Sequence, residues 1–246
     1  MKDLFSRQAE GYAQYRPQYP QALFDHILRF VPGRELAWDC GTGNGQTAFI
    51  LSRYFDHVIA TDISRRQLLY AVPSPKISYR VEPEGRTSLH DHSVSLVTAS
   101  QALHWFDTEG FFEEARRVTV PGGVLATWVY GLLQVDAVVD KQIGRLYNDI
   151  LGPFWDAERK HVDNGYADFN FPVELIPDPG FTMEVEWTIA QLEGFLSTWS
   201  ALQHYRLQST YDPVRETILT LQSHWPAGEK RTVRFPLTLK MGIWPA

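Results

Sequence analysis

The chain has little of what would mark several classes of protein. Cys40 is its only cysteine in 246 residues, which excludes an internal disulfide and argues against a cysteine-based zinc site. No apolar run approaches the roughly 18 residues of a membrane span, and the opening MKDLFSRQAEGY is too polar for a secretory signal. The net charge is −6 and the basic residues are scattered, without the basic face typical of nucleic-acid binding. We therefore expect a cytoplasmic, metal-independent protein without membrane or nucleic-acid partners.

What the sequence does contain is a regular alternation of strand and helix patterns over its first 130 residues. A helical stripe at 20–31 precedes it, Ser64 can cap one of the helices, and Pro121-Gly122-Gly123 is expected to stop the helix at 108–118. Parallel strands need crossover helices, so the alternation predicts a doubly wound α/β fold with a mostly parallel sheet. The five strands of this region are predicted at 35–39, 57–62, 76–81, 93–100 and 123–130.

The second half is less regular and no Gly/Ser linker separates it from the first, so the sequence predicts a single domain over 1–246. We expect helices at 134–149, around 189–204 and at 212–224, with an irregular aromatic stretch at 150–180. The expected parts are an N-terminal lid with helices, a cofactor-binding core, two cap insertions over the carboxyl edge of the sheet, and two final strands. The N-terminal part covers 1–34 and the cofactor-binding core covers 35–130. The cap insertions cover 131–180 and 189–229, and the final strands cover 181–188 and 230–242.

The segment LAWDCGTGNGQTA places glycines at 41, 43 and 45 directly after the first predicted strand. Glycines let the backbone approach a ligand closely and adopt positive φ, and the helix that follows directs its free N–H groups at the loop. A dinucleotide site would have G-x-G-x-x-G, but its last position is Gln46 here. Asp39 beside the loop suits a cationic ligand better than a pyrophosphate. The spacing therefore disfavours NAD.

Asp62 ends the second predicted strand. A carboxylate there can accept both hydroxyls of a ribose, which indicates an adenosine-type ligand. The alternative is an aspartate that only caps the next helix.

The two motifs DCGTGNG and VIATDIS resemble those of class I S-adenosylmethionine-dependent methyltransferases. FSRQAEGYAQYRPQYP, ASQALHWFD and PGGVLATW resemble, more narrowly, the small-molecule branch that includes trans-aconitate and cantharidin methyltransferases. The resemblance implies a seven-stranded Rossmann-like sheet with an antiparallel C-terminal strand and helical caps. It also implies S-adenosyl-L-methionine as cofactor, methyl transfer within EC 2.1.1, and a monomer or homodimer.

The resemblance also implies where the cofactor is bound. Asp39 would reach its amino group, Asp62 the ribose, and Glu82 the adenine amino group, although Pro83 departs from the usual pattern by removing a backbone donor. The full set of implied cofactor contacts is Tyr12, Arg16, Asp39, Gly41, Thr42, Gly43, Gly45, Asp62, Ile63, Gln67, Glu82, Ser100 and Gln101.

Two further groups are candidates for the acceptor side. The segment GYAQYRPQYP can form a lid, with its guanidinium pairing a carboxylate, or can simply pack on the core. His104 is the candidate catalytic residue, either as a general base or as a hydrogen-bonding residue that shapes the pocket. The candidate substrate-binding residues, each of which can also be plain packing, are Tyr19, Trp105, Trp128, Tyr130, Trp199 and Tyr205.

The HDH segment at 90–92 resembles a metal pair, but it falls where the family has a polar loop, so no metal is expected.

The favoured function is methylation of a small molecule, on a carboxylate oxygen. The alternatives are a hydroxyl or amine acceptor with His104 as base, a nicotinamide-dependent oxidoreductase, and a non-catalytic cofactor-binding protein.

Overall fold

The computed structural model describes residues 17–245, and an eight-stranded sheet runs through them. The strand order is β3-β2-β1-β4-β5-β8-β6, with β7 also paired to β8. The strands are β1 (Leu36–Cys40), β2 (His57–Asp62), β3 (Ile77–Val81), β4 (Val94–Ser100), β5 (Thr119–Tyr130), β6 (Glu174–Ile176), β7 (Phe181–Trp187) and β8 (Arg231–Ile243).

Strands β1 to β5 pair in parallel, whereas β8 runs antiparallel to β5. The strand order reverses beside β1, and β1, β2 and β4 therefore end side by side at one edge. This confirms the predicted doubly wound, mostly parallel α/β sheet with antiparallel C-terminal strands. The prediction of seven strands missed β6, a three-residue strand inside the stretch that was expected to be irregular.

The helix predicted at 108–118 has these bounds in the structure, but β5 begins earlier than the predicted 123. Pro121-Gly122-Gly123 lies within β5, after the helix has already ended at Val118. Gly122 has φ +75° and donates its N–H to the carbonyl of Trp244, and the β4–β5 register shifts at this point. The pair of glycines therefore serves a β-bulge, which the sequence pattern alone does not distinguish from a helix stop.

Nine α-helices occur in the part of the chain that the structure describes. They are α1 (Gln21–Leu28), α2 (Gln46–Leu51), α3 (Arg65–Leu69), α4 (Thr108–Val118), α5 (Ala137–Gly144), α6 (Arg159–Asp163), α7 (Ile189–Leu196), α8 (Ser200–Arg206) and α9 (Pro213–Leu221). Ser64 caps α3 as predicted, by accepting the Gln67 N–H. The single helix expected around 189–204 is two helices, and α5 continues as a π-helical segment at Arg145–Ile150.

Two hydrophobic clusters cover opposite faces of the sheet. Neighbouring positions of β1 alternate between them, since Ala37 belongs to one and Trp38 to the other. The first insertion packs on the carboxyl end of β4, because α6 contacts the 3-10 turn Leu103–Trp105 that follows this strand. Within residues 17–245, no helix has both the length and the apolar character needed to cross a bilayer.

Candidate functional site: a cradle at the ends of β1, β2 and β4

The loop between β1 and α2 has an unusual backbone. Gly41, Gly43 and Gly45 all have positive φ, at +64°, +58° and +80°. A Cβ on Gly45 would lie 2.3 Å from the Tyr79 hydroxyl oxygen, and one on Gly41 would lie 2.7 Å from Cβ of Ala102. A Cβ on Gly43, by contrast, would have no described atom within 4 Å. The loop therefore packs tightly at its two ends and faces open space in its middle.

Asp39 lies under this loop and is fully buried. Its carboxylate accepts hydrogen bonds from the hydroxyls of Thr42 and Thr98, the latter at 2.7 Å. Burial raises the pKa of Asp39 to about 6, although these hydroxyls and the backbone of Ala48 act to lower it. A buried carboxylate in this state is stabilised by a cationic partner, such as an ammonium group.

Asp62 stands at the end of β2, facing the same loop. One carboxylate oxygen accepts the Gly43 N–H at 2.9 Å, and the other accepts the Ser64 N–H at 2.8 Å. The Thr42 N–H reaches the Thr61 carbonyl at 3.0 Å. The cap of α3 is Ser64, whereas Asp62 accepts the N–H of that cap residue and holds the glycine loop.

The end of β4 forms the third side of the cradle. The Thr47 hydroxyl donates to the Ser100 hydroxyl at 2.9 Å, which joins α2 to β4. Gln101 has φ +52° and donates its N–H to the Trp128 carbonyl. Ser100 and Gln101 thus lie at the carboxyl edge, as the sequence predicts, beside the start of α2.

Three further predicted cofactor contacts lie around the β2 and β3 ends. Ile63 is half-buried just past Asp62, and Gln67 is buried on α3 with a side-chain oxygen that accepts no hydrogen bond from the described residues. The Glu82 carboxylate accepts from the hydroxyl and the N–H of Ser88, at 2.6 and 3.1 Å. Glu82 is thus held in the β3–β4 loop, and whether it also contacts adenine stays a prediction.

His104 lies in the 3-10 turn just beyond β4, and its partner comes from the first cap insertion. Its Nδ1 is 3.0 Å from the hydroxyl of Tyr166, which is fully buried. Trp105 packs beside the imidazole at a centroid distance of 4.9 Å. The predicted catalytic residue His104 is therefore hydrogen-bonded to a tyrosine that was not predicted from the sequence.

Most of the aromatic candidates are packed into the core. Trp128 and Trp199 are buried, and Tyr130 makes an edge contact with Phe235. Tyr19 meets Trp128 edge to face at 5.5 Å, and the indole N–H of Trp128 is buried without an acceptor among the described residues. Tyr205 packs on Phe154, within the cap. Tyr12 and Arg16 lie outside the described residues.

Arg159, on α6, is a cap residue that the sequence reading also missed. Its guanidinium lies over the rings of Tyr147 and Trp155, 5.2 and 4.8 Å from their centroids. Only its Nε is engaged, with the Tyr147 hydroxyl and with Asp163. Within 17–245, no group accepts a hydrogen bond from its two terminal nitrogens. An Arg between aromatics in WDAERKHVD is a weak signal, because cation–π pairs form only once the cap has folded.

These groups fit a nucleoside that carries a positive charge. A Cβ on Gly43 would meet no described atom, Asp39 is a buried carboxylate, and Asp62 is a second carboxylate at the edge of the sheet. An ammonium and a pair of hydroxyls are the groups that such carboxylates accept from. Among residues 17–245, no three His, Cys, Asp or Glu side chains come together as a metal site would require. The fold and the cradle define a nucleoside-binding α/β protein of the doubly wound class.

Comparison with known proteins narrows this class. The family described as "Methyltransferase domain" matches residues 38–127. A Dictyostelium discoideum protein, itself named as an inferred methyltransferase, is 30% identical over 224 residues, covering 88% of this chain and 85% of its own. The solved structure of an inferred type II methyltransferase from Anaeromyxobacter dehalogenans is 37% identical with a TM-score of 0.89, covering 94% of this chain and 100% of its own.

A third relative is an inferred S-adenosylmethionine-dependent methyltransferase of Saccharomyces cerevisiae, 31% identical over 128 residues. That match covers 48% of this chain and 44% of the yeast protein. The chain belongs to the class I S-adenosylmethionine-dependent methyltransferases, and S-adenosyl-L-methionine is its cofactor.

Proposed function

We propose that this protein methylates a small carboxylic acid on a carboxylate oxygen, as a single-domain cytoplasmic enzyme of the branch that resembles trans-aconitate and cantharidin methyltransferases. The proposal extends family membership by naming the acceptor. A carboxylate is already ionised at neutral pH, so it can attack the methyl group without a base. Methyl transfer then depends mainly on holding the acceptor in line and excluding water.

The observation that supports the proposal is that the Arg159 guanidinium is held in place while its two terminal nitrogens have no partner among residues 17–245. A guanidinium has five N–H donors, and its two terminal nitrogens match the two oxygens of a carboxylate. Aromatic faces of Tyr147 and Trp155 hold the Arg159 side chain in place, and its Nε is tied by Tyr147. The terminal nitrogens have no partner among residues 17–245, so this pre-oriented cation suits an anionic group of the acceptor.

Arg159 also lies close to the acceptor side of the cradle. Its helix α6 contacts the 3-10 turn that carries His104. Burial raises the pKa of Tyr166 well above its usual range, and the positive charge of Arg159 opposes that rise. Since Tyr166 hydrogen-bonds to His104, the charge of Arg159 acts within the same part of the molecule.

The cofactor supplies a methyl group on a positively charged sulfur. In our proposal Asp39 holds the amino group of the cofactor, the glycine loop with Thr42 lies against its methionine part, and Asp62 accepts from the ribose hydroxyls. Ile63, Gln67 and Glu82 surround the adenine, while Ser100 and Gln101 face the methionine part from β4. Tyr12 and Arg16 remain candidates from the sequence, and we propose Tyr19, Trp105, Trp128, Tyr130, Trp199 and Tyr205 as the aromatic wall on the acceptor side.

The proposal is tested by a screen of acceptors with a methyl-labelled cofactor. Panels of di- and tricarboxylic acids, phenols and amines are incubated with the full chain, and products are read by mass spectrometry. We expect label in methyl esters, which release labelled methanol on alkaline hydrolysis. Label found only in phenol ethers or in methylamines overturns the carboxylate assignment. Parallel titrations with NAD and with S-adenosylmethionine test the nicotinamide alternative, and cofactor binding without turnover on any panel favours a non-catalytic protein.

A further inference from the structure

The contact between His104 and Tyr166 also bears on which nitrogen of the imidazole is protonated. The Tyr166 hydroxyl oxygen lies 3.0 Å from Nδ1 of His104. This distance fits one hydrogen bond, but either group can be its donor, because a tyrosine hydroxyl and a neutral imidazole each both donate and accept. Which group donates decides which ring nitrogen of His104 carries the proton.

The surroundings of the Tyr166 oxygen decide this question. Burial raises the pKa of Tyr166, so its hydroxyl keeps its proton. Among residues 17–245, Nδ1 of His104 is the one hydrogen-bond partner of the Tyr166 oxygen, and an O–H that is buried without an acceptor is costly.

The burial of this hydroxyl decides the direction of the bond. If Nδ1 of His104 carried a proton and donated it, the Tyr166 O–H would have no acceptor among residues 17–245. The O–H therefore donates to Nδ1 of His104, and the proton of the neutral imidazole is on Nε2.

The backbone of Tyr166 indicates that this placement is maintained at a cost. Tyr166 has φ +61°, in the left-handed region that disfavours residues with a side chain, and it follows Gly165 at φ +62°. Such a conformation is strained and persists only where the surroundings enforce it. Here the Tyr166 N–H bonds to the His161 carbonyl at 2.8 Å, and the ring is fully buried.

We propose that Tyr166 is a positioning residue whose hydroxyl donates to Nδ1 of His104 and holds the imidazole as the neutral tautomer with its proton on Nε2. His104 then acts on the acceptor as a hydrogen-bond donor and not as a general base. The inference rests on the proposed function only in this last step, because a carboxylate acceptor needs a donor to orient it and no base. Among the described residues, charged and titratable groups that face Tyr166 include His104, Tyr19 and Arg159, and the His161 carbonyl accepts its N–H.

The tautomer is measured directly by nitrogen NMR of the full chain with labelled histidine. The chain has eight histidines, and the His104→Gln variant identifies the signal of His104 by its loss. We expect Nδ1 of His104 in the unprotonated, pyridine-like range near neutral pH and Nε2 in the protonated range. A proton on Nδ1 overturns the inference. This measurement uses the unmodified protein, so it decides the question even where a variant fails to fold.

Variants extend the test to activity. Tyr166→Phe should remove the preference for one tautomer, while Tyr211→Phe, which removes the hydroxyl of an exposed tyrosine, should leave the spectrum unchanged. The amide N–H of Gln lies near the position of Nε2, so His104→Gln should retain at least about ten-fold more kcat/KM than His104→Leu. Equal losses in both variants overturn the donor role.

The failure of this inference is distinguishable from failure of the proposed function. A proton on Nδ1 contradicts the role of Tyr166 and leaves the class of acceptor open. An acceptor panel without methyl esters contradicts the carboxylate proposal and leaves the measured tautomer unchanged.

Discussion

The carboxylate of Asp62 accepts a hydrogen bond from the backbone N–H of Gly43 at 2.9 Å. This bond connects the end of β2 to the middle of the glycine loop, where a Cβ on Gly43 would have no described atom within 4 Å. A group proposed to bind the ribose therefore also fixes the loop that is proposed to hold the methionine part. The two halves of the cradle are coupled through one side chain.

Asp62→Asn should weaken cofactor binding by about ten-fold or more. The variant loses a charge-assisted acceptor, which contributes about 1.5–3 kcal/mol, and the coupling to Gly43 adds disorder of the loop. Calorimetric titration with S-adenosylmethionine and with its demethylated product measures the change. Asp149→Asn is the matched control, because Asp149 is exposed and should leave the affinity unchanged. Full affinity in Asp62→Asn would remove this residue from the site.

Gly43→Ala and Gly45→Ala should separate ligand binding from stability. Both positions have positive φ, so an alanine costs about 1–2 kcal/mol of strain at either. At Gly45 the new methyl would also meet the Tyr79 hydroxyl, and at Gly43 it would meet no described atom. We expect the larger fall in melting temperature for Gly45→Ala and a loss of cofactor affinity for Gly43→Ala. Thermal unfolding and calorimetry measure the two effects, and unchanged affinity in Gly43→Ala would contradict the placement of the ligand.

The sequence predicted the parts of the fold that depend on local patterns. The alternation of strands and helices gave β1 to β5 in their correct order, and the amphipathic stripe placed α4 at its observed bounds. The loop glycines and both aspartates also follow from local rules, because positive φ and strand ends leave residue signatures. These features form the cofactor side of the site.

The acceptor side depends on contacts between distant segments, which no local pattern encodes. His104 and Tyr166 are 62 residues apart, and the cation–π contacts of Arg159 exist only in the folded cap. The strand β6 escaped prediction because three residues are too few to show a period and its pairing partner is β8. For the same reason the sequence could name His104 as a candidate but could not assign its tautomer.

Asp39 should make the stability of the ligand-free protein fall as pH rises. Its pKa is raised from 3.8 to about 6 by burial, so the folded state binds the proton more tightly than the unfolded state does. The contribution of Asp39 to stability is therefore fully present below about pH 4 and is lost as pH rises through about 6. Relative to wild type, Asp39→Asn should gain about 1.4 kcal/mol of unfolding free energy between about pH 5 and about pH 7.5. Urea unfolding at the two pH values measures this difference, and an equal pH dependence in both proteins would contradict the shift.

The same residue should release a proton when the cofactor binds. A cofactor ammonium beside Asp39 favours the ionised carboxylate and draws its pKa down. We expect proton release at about pH 6, measured by calorimetry in buffers of different ionisation enthalpy, and no release in Asp39→Asn. Binding without proton release in the wild-type protein would show that the ammonium does not reach this carboxylate.

Arg159→Met should raise the KM for an acidic acceptor by about 10- to 100-fold while leaving cofactor affinity intact. A guanidinium that pairs with a carboxylate contributes about 1.5–3 kcal/mol, and Met keeps a similar volume between Tyr147 and Trp155 without the charge. Arg159→Lys keeps the charge but not the paired donors, so its KM should lie between those of wild type and Arg159→Met. Steady-state kinetics with the best acid from the screen measures the series, with Arg215→Met, an exposed arginine on α9, as the matched control. If Arg159→Met lowers cofactor affinity as much as it raises the acceptor KM, the guanidinium is not a specific partner of the acceptor, because the cofactor carries a carboxylate of its own.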